Sequence, residues 1–159
     1  MAIILGIDPG TTDVGFAIIE LNKNIRTVLT FGVIHTTPKA PQHEKLVEIM
    51  KDLKEILSQY PITHAAIEKL FFATNVKTGI DVAQSRGVIT AIIAEKWIPI
   101  AEYTPLQIKK ALCWNGKAMK KQIGRAVQLL FRLDEVPTPD DAADALGIAY
   151  VASLQYNLQ

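Results

Sequence analysis

The stretch that decides the fold is IILGIDPGTTDVGFAIIE, residues 3–20. It holds two short apolar runs, 3–8 and 14–20, joined by a segment that contains proline and glycine, and this pattern predicts a β-hairpin. The next run, 25–35, is rich in β-branched and aromatic residues and predicts a third strand. The chain is therefore expected to begin with three strands in meander order.

Helical and strand patterns alternate in the rest of the chain. Apolar residues recur every three or four positions over 42–60, which predicts an amphipathic helix. Four more helices are predicted, over 76–96, 105–113, 119–132 and from Thr138-Pro139 onward. The second and the last of these open with a threonine cap followed by a proline. Short apolar runs predict two buried strands, at 63–68 and 98–103. Together these elements predict an α/β fold, a mixed five-stranded sheet flanked by helices.

The composition is that of one globular domain. With 159 residues, 49% hydrophobic and 21% charged, the chain is expected to form a single domain over 1–159. Cys113 is the only cysteine, which excludes an intrachain disulfide and a cysteine-rich zinc site and suits a reducing compartment. The first residues carry no basic leader, and the uncharged run 87–94 is too short to span a bilayer. We therefore expect a cytoplasmic protein with no membrane partner.

Charge is distributed unevenly near the end of the chain. Residues 107–132 contain no Asp or Glu and seven basic side chains, which are Lys109, Lys110, Lys117, Lys120, Lys121, Arg125 and Arg132. Residues 133–159 contain no Lys or Arg and five acids, which are Asp134, Glu135, Asp140, Asp141 and Asp144. This division predicts a phosphate-binding surface beside a cation site, and the alternative is two ordinary solvated faces.

Four acids occupy positions from which they can converge. Asp8 ends the first strand, Glu68 ends the fourth, and Asp141 and Asp144 lie three residues apart at the start of the last helix. Crowded carboxylates raise one another's pKa, and a divalent cation such as Mg²⁺ relieves that repulsion through hard oxygen ligands. A pair of such ions can activate a water and stabilise the leaving oxygen of a phosphodiester. Each acid also has an ordinary explanation, as a turn residue, a solvated strand end or a complement to the helix dipole.

Three aromatic residues and one arginine are further candidates for a contact with a ligand or for a structural role. Phe71 and Phe72 closely follow Glu68, and either base stacking or packing inside the protein explains such a pair. Trp114 lies between two basic helices, as a hydrophobic anchor or an exposed contact. Arg86 is expected to support helix packing or form an ion pair rather than to touch a substrate.

Four motifs carry a family resemblance. The stretches IDPG (7–10), AIEKLF (66–71), QSRG (84–87) and DAADAL (141–146) resemble, in order and separation, the RuvC family of bacterial Holliday junction resolvases. The resemblance implies a ribonuclease H-like fold and a Mg²⁺-dependent endodeoxyribonuclease, with Mn²⁺ as a substitute. It also implies a homodimer that nicks two strands of a four-way DNA junction symmetrically during recombination and repair. The RuvA–RuvB branch-migration complex is then a candidate partner.

The resemblance also implies roles for individual residues. It makes catalytic metal ligands of four acids, which are Asp8, Glu68, Asp141 and Asp144. It places Phe71 near the junction crossover, and it places Lys109 and Lys120 near the scissile phosphate, where Lys120 stabilises developing charge. The charge of the basic segment, rather than a family motif, adds Lys117, Lys121 and Arg125 as expected DNA-binding residues. The chain departs from the family pattern in Cys113-Trp114, where small or aliphatic residues are expected, in the extra acid Asp140 and in lacking a basic tail.

Two other functions fit the same residues. One is a different ribonuclease H-like nuclease that acts on RNA, of the YqgF type, although the Glu-x-x-Phe and Asp-Ala-Ala-Asp stretches favour RuvC. The other is a module that recognises junctions without cutting, in which the acids serve only as caps and turns. Side-by-side cleavage of junction DNA and structured RNA separates the first, and metal titration separates the second.

Overall fold

The computed structural model describes residues 1–70 and 76–156, without the side chains of 76 and 77. Phe71, Phe72 and the last three residues lie outside this description. Ten elements are present among the described residues: β1 (Ala2–Asp8), β2 (Asp13–Asn22), β3 (Ile25–His35), α1 (Gln42–Gln59), β4 (His64–Glu68), α2 (Val76–Glu95), β5 (Ile100–Tyr103), α3 (Pro105–Cys113), α4 (Lys120–Phe131) and α5 (Asp140–Tyr156).

Within the described residues the strands form one five-stranded sheet in the order β3-β2-β1-β4-β5. The first three strands pair antiparallel as a meander, whereas β4 pairs parallel with both β1 and β5. The predicted mixed sheet flanked by helices is therefore confirmed. Because β1, β4 and β5 run in the same direction, their carboxyl ends lie at one edge of the sheet.

Helices cover both faces of the sheet. On one face α3, α4 and α5 pack over a core that includes Ile4 and Leu146. On the other, α1 and α2 pack over a core that includes Leu5, Ile7 and Leu53. Neighbouring residues of β1 thus point into opposite cores, as the two-residue period of a strand requires. No helix of the described ranges is both long enough and apolar enough to cross a membrane.

Two glycines let α5 lie directly against the centre of the sheet. A Cβ at Gly6 of β1 would come within 2.3 Å of the Ala145 carbonyl oxygen. A Cβ at Gly15 of β2 would come within 2.0 Å of the Asp141 carbonyl oxygen. No side chain fits at either distance, so these glycines fix how closely the acidic start of α5 approaches the end of β1.

Prolines explain two of the differences from the predicted boundaries. Helix α5 begins at Asp140, because the Pro139 carbonyl accepts the Ala142 amide at 3.0 Å and therefore precedes the first helical residue. Strand β5 begins at Ile100 rather than at Ile98, because Pro99 has no amide hydrogen for the sheet and contributes only its carbonyl.

Helix α3, by contrast, opens as predicted. The Gln107 amide donates to the Thr104 hydroxyl at 3.1 Å, and the Thr104 amide donates to the Gln107 side-chain oxygen at 2.8 Å. Pro105 occupies the first helical position. This capping box fixes the direction in which α3 leaves the end of β5.

Candidate active site

Acidic side chains converge where parallel strands end. Asp8 and Glu68 directly follow Ile7 and Ile67, which pair in the register between β1 and β4. Asp141 and Asp144 lie on the first turns of α5, which the close contact at Gly15 holds against β2. All four acids are half-buried. The structure therefore brings together the strand-end acids and the helical acids that the sequence singled out.

The electrostatics of these acids show that they share one environment. Burial raises the pKa of Asp8 to about 8, and the negative charges of Asp144 and Glu68 contribute to the rise. Burial also raises the pKa of Glu68 to about 7, with a further contribution from Asp144. The pKa of Asp144 is raised by burial and by the charges of Asp141 and Asp140. Several half-buried carboxyl groups that disfavour one another's ionisation are characteristic of functional sites.

Two lysines reach the same place from the neighbouring helices. The positive charge of Lys120 opposes the rise in pKa at Asp8, Glu68 and Asp144, and Lys109 does the same at Glu68 and Asp144. A cavity of about 200 Å³ lies between these groups, and its lining residues are Glu68, Pro105, Ile108, Lys109, Lys120, Ile123 and Asp144. The cavity is thus lined by acids, lysines and apolar side chains, a combination that suits a phosphate beside a cation.

Basic residues at the start of α4 are not explained by the stability of that helix. Lys120 and Lys121 lie in its first turn, where the positive end of the helix dipole disfavours cations. Lys117 and Lys121 are exposed, as is Arg125, whose guanidinium donates to the Gln128 side-chain oxygen at 2.5 Å. None of these last three residues lines the cavity. They extend a basic surface away from it.

Arg86 holds the strand end that carries Glu68. Its Nε donates to the Glu68 carbonyl at 3.2 Å, and its Nη2 forms an ion pair with Glu102 of β5. The Lys69 amide adds a hydrogen bond to the Tyr103 carbonyl at 2.8 Å. The predicted ion pair of Arg86 is confirmed, but its contact with the Glu68 backbone is new. The motif QSRG was the only sequence signal for it.

The turn after Asp8 is anchored by residues that sequence reasoning did not single out. Thr36, which is 3% exposed, donates its amide to the Thr12 carbonyl at 2.8 Å and its hydroxyl to the Thr11 carbonyl at 2.9 Å. Lys45 of α1 donates to the Thr12 hydroxyl at 3.2 Å. These bonds fix the turn between β1 and β2 and thereby the position of Asp8 at its start.

The donor chemistry of the site suits a hard divalent cation. Asp8, Glu68, Asp141 and Asp144 offer only carboxylate oxygens, and their mutual repulsion is what a cation would relieve. With the side chains as they stand, no three His, Cys, Asp or Glu residues of the described segments lie close enough together to hold a metal ion. The case for a metal therefore rests on donor type and electrostatics.

Comparison with known proteins identifies close relatives along almost the whole chain. The family model described as crossover junction endodeoxyribonuclease RuvC matches residues 4–152. The crossover junction endodeoxyribonuclease RuvC of Halothermothrix orenii is 44% identical over 156 residues, which cover 98% of this chain and 94% of the relative. That of Petrotoga mobilis is 43% identical over 148 residues, covering 93% and 91%.

A solved structure extends the comparison to three dimensions. The T. thermophilus RuvC in complex with Holliday junction substrate superposes with a TM-score of 0.91 and is 28% identical, over 99% of this chain and 96% of that one. The ribonuclease H-like α/β fold expected from the sequence is therefore confirmed.

Proposed function

The chain belongs to the RuvC family of crossover junction endodeoxyribonucleases, and on this premise we propose that it resolves four-way DNA junctions by paired, symmetric nicks. The observation that carries the proposal is the cavity that Glu68 and Asp144 line together with Lys109 and Lys120. A similar structure, that of T. thermophilus RuvC, is a complex with Holliday junction substrate. Residues 1–159 act as one nuclease domain in this proposal, because both cores pack on the same sheet.

The acids of the site would hold a divalent cation. Asp8, Glu68, Asp141 and Asp144 are its ligands in this proposal, with Mg²⁺ as the resident ion and Mn²⁺ as a substitute. When bound, such an ion activates water and stabilises the leaving oxygen of a phosphodiester. Asp8 and Glu68, with pKa values raised to about 8 and about 7, would exchange their protons for the ion near neutral pH.

The lysines would bind and polarise the scissile phosphate. Lys120 lies close enough to Asp8, Glu68 and Asp144 to affect all three pKa values, so a phosphate held by its ammonium group would lie beside the acids. That ammonium group would stabilise the charge that develops on the phosphate oxygens during hydrolysis. Lys109 would hold the same phosphate from α3, and the wall formed by Ile108 and Ile123 would exclude bulk water.

Contacts outside the cavity would fix the junction on the protein. Lys117, Lys121 and Arg125 continue the basic surface and would neutralise flanking phosphates, which makes binding fall with increasing salt. Phe71, which lies outside the described residues, would contact the junction near its crossover. The RuvA–RuvB complex stays a candidate partner of the bound junction.

Two symmetric cuts require two sites, and a homodimer would supply them. A two-fold dimer matches a junction that is itself nearly two-fold. One face of α2 supports this arrangement, because it is exposed and uncharged from Ile80 to Ala94, through Gln84, Gly87 and Ala91. Sedimentation tests it: the wild type should behave as a dimer and Ala91→Glu as a monomer. A wild-type monomer that still cuts in pairs would contradict the dimer.

The function is tested on a labelled synthetic four-way junction and on linear duplex of the same sequence. We expect metal-dependent nicks at symmetric positions of the junction and none in EDTA or on the duplex. Asp144→Asn should bind the junction without cutting it, whereas Asp134→Asn, at an exposed acid in the loop between α4 and α5, should cut normally. Binding without cutting in both Mg²⁺ and Mn²⁺ would indicate a recognition module. Cleavage of structured RNA in preference to the junction would indicate an RNA nuclease.

A further inference from the structure

Trp114 occupies a position that neither packing nor backbone geometry favours. Its side chain is 94% exposed, so the indole contributes almost nothing to the core. Its φ is 55°, in the left-handed region that favours glycine, at the C-cap of α3. The indole at this position is therefore free of the core and accessible to a partner outside the chain.

The loop that carries Trp114 is held in a defined conformation. The Trp114 amide donates to the Lys110 carbonyl at 3.0 Å, and the Lys117 amide donates to the Asn115 side-chain oxygen at 2.9 Å. Ala118, which is 2% exposed, anchors the far end of the loop in the core. The loop therefore presents the indole to solvent from a fixed base.

This loop adjoins the cleavage cavity. It connects α3, which carries Lys109, to α4, which begins at Lys120, and both lysines line the cavity. Leu106, which is 52% exposed, lies against Gly116 of this loop, and Met119, which is 69% exposed, directly precedes α4. Trp114 thus lies in a loop that has other exposed apolar residues beside it and that joins the two helices whose lysines line the cavity.

The positive charge around this loop favours a polyanionic partner. No Asp or Glu occurs over 107–132, and Lys110, Lys117 and Lys121 are exposed. An aromatic side chain among lysines is the arrangement that binds nucleic-acid bases, with the ring stacked on a base and the lysines on the backbone. A polyanion fits this surface by charge complementarity.

We propose that Trp114 stacks on an unpaired or unstacked base of the junction DNA, just outside the cleavage cavity. The inference rests on the proposed function, because it takes junction DNA as the ligand. Trp114 would then add affinity and fix the register of the strand that enters the cavity, beyond the phosphate contacts of the lysines.

The second tryptophan of the chain is a matched control. Trp97 is 93% exposed and has a φ of 58°. Trp97 precedes β5, which runs parallel to β4, so it lies at the edge of the sheet opposite the one that carries the acids. Trp114 follows β5 and α3 in the chain. Its exposure and φ are close to those of Trp114, but it lies far from the cavity and follows the acid Glu95.

Two measurements test the proposal. Trp97→Phe leaves Trp114 as the only indole, and Trp114→Phe leaves Trp97. Titration of each variant with four-way junction in EDTA should quench the emission of Trp114 strongly and that of Trp97 little. Trp114→Gly, in which glycine fits the positive φ, should keep or raise the melting temperature while its Kd for the junction rises about 5- to 20-fold. Trp97→Gly should change Kd by less than about twofold.

The outcomes separate this inference from the proposed function. If the wild type binds and cuts the junction but Trp114 is not quenched and Trp114→Gly binds as tightly, the stacking contact is wrong and the nuclease assignment stands. If the wild type neither binds nor cuts the junction, both are wrong. Equal quenching of the two tryptophans would also overturn the inference, because it would report a general effect of DNA on exposed indoles.

Discussion

Replacing Asp8 with asparagine should stabilise the metal-free protein at alkaline pH. The pKa of Asp8 is raised from its ordinary value of 3.8 to about 8, so the folded protein binds this proton more tightly than the unfolded chain does. For such a group, stability is full below the unfolded pKa and falls as the pH rises towards the folded pKa. The ionisation of Asp8 therefore costs stability progressively between about pH 4 and about pH 8.

The magnitude follows from the size of the shift. Each pH unit in this window corresponds to about 1.4 kcal/mol, so the shift of Asp8 sets a ceiling of about 5–6 kcal/mol. Glu68 and Asp144 also have raised pKa values and titrate together with Asp8, which shares the cost among them. We expect Asp8→Asn to raise the free energy of unfolding by about 2 kcal/mol at pH 8, and hence the melting temperature by about 4–8 °C.

The assay is denaturant unfolding in EDTA at about pH 5 and about pH 8. At the lower pH the folded wild type keeps the Asp8 proton and only the first part of the cost has accrued, so the advantage of the variant should be much smaller than at pH 8. Asp134→Asn, at an exposed acid, is the control and should show no pH-dependent difference. A divalent cation should then stabilise the wild type more than Asp8→Asn. An equal effect of Asp8→Asn at both pH values, or destabilisation at pH 8, would refute the reasoning.

Three further substitutions probe the supports of the site. Gly15→Val should lower the free energy of unfolding in urea by about 1–3 kcal/mol and slow cutting, because its Cβ would lie 2.0 Å from the Asp141 carbonyl oxygen. Unchanged stability would show that α5 can move away from β2. Lys120→Ala should slow single-turnover cutting about 100- to 1,000-fold while weakening junction binding far less, and an effect on binding alone would contradict its role at the phosphate. Arg86→Ala removes the donor to the Glu68 carbonyl and should slow cutting about tenfold at saturating junction, without a matching rise in Kd. An unchanged cutting rate would show that Arg86 only forms a structural ion pair and does not position Glu68.

Much of the fold was predictable because strand and helix periods are local properties. The hairpin of β1 and β2 follows from two apolar runs around a proline- and glycine-containing turn, and the structure pairs Asp8 with Gly15 at its end. Two of the boundary errors fall at prolines, where a missing amide or an accepting carbonyl moves a boundary by one or two residues. Pro99 and Pro139 show both cases.

The site was predictable in part. The proximity of Asp8 and Glu68 could be predicted from the sequence, because the carboxyl ends of parallel strands meet at one edge of the sheet. The approach of Asp141 and Asp144 depends on contacts of Gly6 and Gly15 with α5, which no local pattern shows. The hydrogen bond from Arg86 to the Glu68 carbonyl is likewise a tertiary contact and needed the structure.

Cleavage of a supercoiled plasmid that extrudes a cruciform tests the central claim most directly, because paired cuts yield linear DNA and single cuts yield nicked circles. We predict linear product for the wild type in Mg²⁺, and neither product in EDTA or with Asp8→Asn or Asp144→Asn. Linear product from either variant at the wild-type rate would contradict the assignment of the acids as one hydrolytic site. Nicked circles alone from the wild type would contradict paired resolution.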